Sequence, residues 1–243
     1  MSKTQGIFGI AILGAIAILL TSISNYYLIA LFVGVSLFLF GMSMFLRAQF
    51  FVKSTFRTSE NNVLLSFDDG PDPVNTPLVL DILKKQGATA MFFLIGKKVK
   101  GNEALVRRIH EEGHLLGSHS YSHDPKIGLW NKARTTMDIR TGHEELLKVV
   151  PNAGDWYRPP FGVTNPTIAS ALKKCGLKSI GWSVRSFDTV KKDPKKLLEN
   201  LSQEIKGSDI VLLHDTQNLT VSILEPLVLE LKSRKLTLKA ELN

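Results

Sequence analysis

Val63-Leu64-Leu65-Ser66-Phe67-Asp68-Asp69-Gly70-Pro71-Asp72-Pro73 passes from an apolar strand former through two adjacent carboxylates into a turn. The apolar start predicts a buried strand over 63–67. The Gly-Pro-Asp-Pro run beyond it consists of turn formers. An exposed turn accounts for Gly70, Pro71 and Pro73. It does not account for two carboxylates placed just before the turn, where a strand end points toward whatever the loops enclose.

Downstream of this stretch, strand-like and helix-like segments alternate. Further strands are expected at 90–94, 115–118, 156–158, 178–183, 210–213 and 237–240. Helices are expected at 77–86, 104–112, 132–149, 167–175, 194–205 and 222–232. Gly176 suits the position just past a helix end. About seven βα units favour parallel strands with helical crossovers. A doubly wound open sheet gives the same local pattern. What favours a barrel is where the polar residues fall. Asp68/Asp69, His119, Arg158, Asp188 and His214 each follow a different strand at its C-terminal end, the face that carries the chemistry in barrels. The expectation for 62–243 is therefore an α/β domain, a distorted (β/α)7-type barrel.

The N-terminal part differs. Residues 6–24 and 28–46 are apolar runs, each about long enough to cross a bilayer as a helix. Tyr26 and Tyr27 lie between them, where an interfacial aromatic belt would sit. Residues 1–47 are expected to form a transmembrane helical hairpin, with 48–61 as a polar linker, so that the protein is a multi-pass membrane protein. A cleaved signal peptide fits less well, because the second run follows at once. Both flanks of the hairpin are basic, which favours a cytoplasmic catalytic domain. If only one run spans, the domain lies outside. The net charge is +8, and Lys3, Arg47, Lys53 and Arg57 supply half of it. With no block of five basic residues, the charge marks a membrane flank and an ordinary surface, not nucleic-acid binding. The single cysteine, Cys175, excludes an intramolecular disulfide.

His119-Ser120-Tyr121-Ser122-His123 offers two imidazoles at i, i+4 spacing, one side of a helical turn. One Asp and two His suffice for an open divalent metal site, leaving the second Asp free as a base. A competing pattern, His110-Glu111-Glu112-Gly113-His114, matches the HExxH of zinc proteases. That chemistry needs a continuing helix, and Gly113 sits where the helix should stop. A helix end with surface His is the expectation there, and His143 is expected at the surface too.

In this order, Ser-Phe-Asp-Asp-Gly-Pro, His-Ser-Tyr-Ser-His, Arg-Pro-Pro-Phe-Gly (158–162) and Leu-Leu-His-Asp (212–215) resemble the motifs of the polysaccharide deacetylase family. This is the NodB-homology or carbohydrate esterase family 4 domain, and the resemblance covers about 62–239. It implies Asp68 as general base, with Asp69, His119 and His123 holding a divalent metal, Zn or alternatively Co or Mn. It implies Arg158 orienting Asp68, His214 as general acid, and Asp188 fixing the His214 tautomer. Phe161, Trp182 and Leu212 are expected to border the substrate. The stretch Arg185–Thr189 departs from the family pattern, with Arg185 where an acidic residue is frequent and Thr189 where a Trp is. The implied activity is removal of N-acetyl or other N-acyl groups from amino sugars of a cell-wall or surface polysaccharide. Alternatives are a deacylase or deformylase of a lipid-linked amino sugar, and a non-catalytic carbohydrate-binding domain.

Overall fold

The computed structural model describes residues 25–242 together with Gly9, Ile10, Ile12, Leu13, Gly14 and Ile16. Most of the first apolar run, 6–24, lies outside the described residues. Helix α1 (Asn25–Met44) is apolar all round, and over 26–44 the fold buries none of its residues. Its 20 residues rise about 30 Å, the depth of a bilayer core. Among the described residues it is the one helix long and apolar enough to cross a membrane, so the expected two-helix hairpin is not shown.

Eight parallel strands form one sheet: β1 (Ser54–Thr55), β2 (Leu64–Asp68), β3 (Met91–Leu94), β4 (Leu115–Ser118), β5 (Trp156–Tyr157), β6 (Lys178–Ile180), β7 (Val184–Arg185) and β8 (Ile210–His214). Their spatial order is β1-β6-β5-β4-β3-β2-β8-β7. The helices that cross between or cover them are α2 (Asn75–Lys85), α3 (Gly96–Val99), α4 (Glu103–Glu111), α5 (Lys132–Val149), α6 (Pro166–Cys175), α7 (Pro194–Glu204) and α8 (Asn218–Ser233).

The alternation along β2 shows how the core is divided. Leu65 and Phe67 join the cluster formed with Val79, Leu80, Leu224 and Leu227 of the covering helices. Leu64 belongs to the inner cluster with Met91, Phe93, Ile180 and Ile210. Period-2 geometry then places Ser66 and Asp68 on the inner side as well. Both faces are buried, which is why the strand reads as a continuous apolar run.

The sheet curls into a half-barrel and, among the described residues, does not close into a cylinder. The run 178–183, expected as one strand, breaks after Ile180. Phe56 packs where a side chain at Gly181 would have to go. The part before the break, β6, pairs with β5 and β1, and β7, just past the expected run, pairs with β8. Residues 48–61, expected as a linker, contribute β1 to the sheet edge and an antiparallel bridge from Arg57 to Asp209. The expected strand at 237–240 reduces to a bridge between Thr237 and Asn62. There the Asn62 amide side chain bonds both Lys239 N–H and Lys239 C=O, taking the place of a ladder. Gly176 ends α6 at φ 71°, as its position suggested.

Candidate active site

Asp68 is the last residue of β2, on the inner face. Asp69, one step on, takes φ 74° and so turns away from it. Asp68 Oδ1 accepts a 2.7 Å bond from Arg158 Nη1. Arg158 follows β5 and is fully buried. Its remaining donors go to Ser66 Oγ (2.9 Å), Gly181 O (2.9 Å) and Ile180 O (3.3 Å), and its guanidinium lies 4.0 Å over the Phe93 ring. Ser66 in turn donates to Val211 O. The arginine is thus fixed by β2, β6 and the Phe93 ring, and it holds one carboxylate oxygen. The other, Asp68 Oδ2, faces His119 Nε2 at 3.8 Å. Burial raises the Asp68 pKa, and Arg158 pulls it back by less.

His119 Nδ1 lies 2.8 Å from Arg158 O. A carbonyl only accepts, so Nδ1 carries the proton and Nε2 presents its lone pair to Asp69 Oδ1, 3.5 Å away. His123 Nε2 is 3.2 Å from the same oxygen. The two rings are not on one helical turn, as their spacing suggested. They flank a loop in which Ser120 and His123 take φ 66° and 51°. That loop rests on α5. The Asp138 carboxylate accepts from Tyr121 N and Ser122 N, and the Ser120–Tyr121 backbone lies against Gly142. His123 N–H donates to Ser120 Oγ. Burial lowers the His119 pKa to about 3, and it lowers that of His123 as well, each only partly offset by Asp69. Both imidazoles are therefore neutral at neutral pH, the form that binds a metal.

His214 ends β8, its Nδ1 2.7 Å from Asp188 Oδ1. Asp188 Oδ2 accepts from the His214 backbone N–H and from Thr220 Oγ1 at the start of α8. Burial works against a charged His214, but the bond and charge of Asp188 outweigh it and leave the pKa raised. Burial likewise raises Asp188, and its bonds from His214 and Thr220 more than compensate, so its pKa is lowered.

Asp68, Asp69, His119, His123 and His214 face one cavity of about 260 Å³. Phe161, Trp182 and Leu212 line it, and so do Arg185 and Thr189. Phe161, at φ 58°, sets its ring 4.6 Å from that of His123. A roomier hollow of about 720 Å³ along α5 is lined by no His and by one carboxylate, Glu144, so size does not mark the site.

The three donors of Asp69, His119 and His123 lie within 4.8 Å of one another. Asp69 Oδ1 is buried without a hydrogen-bond donor. A buried carboxylate oxygen facing two imidazole lone pairs fits a divalent cation with an open position. The HExxH pattern gathers no such donors. α4 stops at Glu111, Gly113 takes φ 83°, and His114 Nδ1 accepts from Ala90 N–H. His114 is buried, not at the surface, and burial takes its pKa down to about 4. His143 is also buried, with Nε2 3.4 Å from Asp155, because α5 turns that face to the fold.

Sequence reasoning did not single out Ser66, Ser120, Asp138, Gly142 and Thr220, which support the site. The visible signal was Asp138 and Gly142 at i, i+4 on α5, a small residue one turn from an acid.

A family model described as polysaccharide deacetylase matches residues 56–180. The chain is 30% identical to the peptidoglycan-N-acetylmuramic acid deacetylase PdaA of Bacillus subtilis, over 75% of this chain and 71% of that protein. It is 33% identical to a peptidoglycan-N-acetylglucosamine deacetylase of Bacillus cereus, over 72% and 84%. Among solved structures, a mutant of a CE4 family pseudoenzyme with restored enzymatic activity superposes with a TM-score of 0.71 at 25% identity. That match covers 77% of this chain and 69% of the other.

Proposed function

The chain belongs to the polysaccharide deacetylase family, hydrolases of amide bonds on N-acetylated carbohydrates, and from that premise we propose a membrane-anchored, metal-dependent amidase acting on N-acyl amino sugars. One observation carries it. A three-donor metal site, a carboxylate held by a buried arginine, and a His–Asp pair converge on one cavity.

Asp69, His119 and His123 would hold the metal, with Zn best suited to the N/O donor set and Co or Mn acceptable. When bound, such an ion supplies a water of lowered pKa and polarises the carbonyl. Asp68 takes the water's proton on Oδ2, since Arg158 occupies Oδ1 and fixes the carboxylate. Its raised pKa makes it the better base. The backbone N–H near Phe161 supports the developing oxyanion. His214, its Nδ1 held by Asp188, delivers a proton from Nε2 to the leaving nitrogen as the C–N bond breaks. The products are a carboxylate and a free amino sugar. On this reading α1 is the anchor, and the catalytic domain begins at the sheet edge that β1 forms.

The non-catalytic alternative needs one of these groups to be missing, and the sequence has them all. Protein stripped with chelator should lose release of acetate from N-acetylglucosamine oligomers and regain it with Zn²⁺ or Co²⁺. Asp68→Asn should lower kcat by about 10³-fold or more while metal content stays full. Full activity in that variant removes Asp68 as the base.

A further inference from the structure

The end of the apolar helix α1 is built into the rim of the catalytic cavity. Ser43 O accepts a 2.8 Å bond from Thr164 N–H. Leu46 is buried against Gly162. Arg47 donates to Ser183 O and Trp182 O. The loops so engaged are those that carry Phe161 and Trp182 into the cavity. Beside it lies a second hollow of about 160 Å³, walled by Met44, Phe45, Arg47 and Phe56. It adjoins the catalytic cavity through Phe161, Gly162, Trp182 and Arg185, which line both.

This second hollow is aromatic and cationic. The ion pairs that arginines make among the described residues involve Arg57, Arg108, Arg134 and Arg158. Among the described residues, Arg47 and Arg185 have no carboxylate partner. The Arg185 guanidinium is exposed and rests 4.9 Å from the Phe187 ring centroid. Both charges line the hollow beside the catalytic cavity.

We propose that the substrate is an N-acylated amino sugar carried on a lipid phosphate. Its acyl amide sits at the metal site, its phosphate ester between Arg185 and Arg47, and its lipid chain along the exposed apolar surface of α1. This rests on the amidase reading above and specifies its substrate. Only the amide C–N bond is exchanged for water, and the phosphate ester passes through unchanged. Arginine suits the task, because its planar fork matches phosphate oxygens.

The test uses the full chain in phospholipid nanodiscs, loaded with Zn²⁺. Acetate release is compared on short-chain polyprenyl-phosphate N-acetylglucosamine, on N-acetylglucosamine 1-phosphate and on a neutral chito-oligomer. The lipid phosphate should give kcat/KM about tenfold or more above the other two. Arg185→Ala should lower kcat/KM on the lipid phosphate about tenfold more than on the neutral oligomer, and Arg185→Lys should restore part of that difference. Equal rates on sugar 1-phosphate and lipid phosphate would show that the site reads phosphate alone and overturn the lipid part. Equal rates on the neutral oligomer, or a parallel loss on all three in Arg185→Ala, overturn the proposal while leaving the amidase reading intact. Turnover of none of the three overturns both.

Discussion

Asp68 and Asp69 are adjacent in the chain yet meet different partners, and their backbone separates them. Asp68 stays in the pleat and meets Arg158, while Asp69 turns at φ 74° and meets two imidazoles. The same logic of fixed partners governs His214, and it yields a pH test. A general acid works only while protonated, so activity falls as pH rises through its pKa. Asp188 holds that pKa above the ordinary imidazole value against the pull of burial. In Asp188→Asn the burial remains and the largest raising partner is gone, so the pKa falls. The basic limb of kcat/KM should then move to lower pH, and the rate at pH 7 should fall by about 10²-fold or more. Profiles of the two proteins with the same basic limb would remove His214 as the acid. Asp68, His119, Arg158 and His214 were legible in the sequence because each ends or directly follows a strand. Their supports were not. Ser66 and Thr220 are ordinary residues whose use depends on Arg158 and Asp188 arriving from distant parts of the chain.

At the scale of elements, the His119–His123 loop is the part whose shape the sequence misled. Four-residue spacing suggests a helical turn, but β4 runs directly into a loop with two residues in the left-handed region. The cause lies on α5. Asp138 ties down two loop N–H groups, and Gly142 lets the loop backbone approach to where a Cβ would lie 2.5 Å from Ser120 C. Asp138 touches no expected metal donor, so its effect on the metal acts through the loop. Asp138→Ala should weaken Zn²⁺ binding about 10–100-fold, read by competition with a chelating dye, with the thermal midpoint of the metal-free protein little changed. Gly142→Ala should do more, because the Ser120–Tyr121 backbone has to move aside. Zn²⁺ affinity equal to that of the parent in Asp138→Ala would show that the loop holds its shape without α5. The open sheet has a similar origin. The sequence reads as one strand over 178–183, but pairing with β5 stops at the Gly181 that Phe56 packs against, and pairing with β8 starts at Val184.

For the whole molecule, the question is whether α1 is retained or removed. An apolar helix near an N-terminus suits an anchor and a signal sequence equally by length and composition. The contacts at its end make the two readings testable. Processing at the close of α1 would take away Ser43, whose carbonyl satisfies Thr164 N–H, and a cut a few residues later would also remove Leu46 and Arg47. Each loss strikes the loops that bear Phe161 and Trp182, so removal of the helix would disturb the cavity it adjoins. A retained helix places no such strain on the site, and its side chains, unburied by protein, gain from lipid contact. The uncut chain should therefore be found in the membrane fraction, stay there through an alkaline carbonate wash, and yield peptides from residues 25–44 by mass spectrometry. A shorter chain that begins after Met44 and washes free would make α1 a signal sequence and take the anchor out of the proposed function, while leaving the chemistry of the cavity as described.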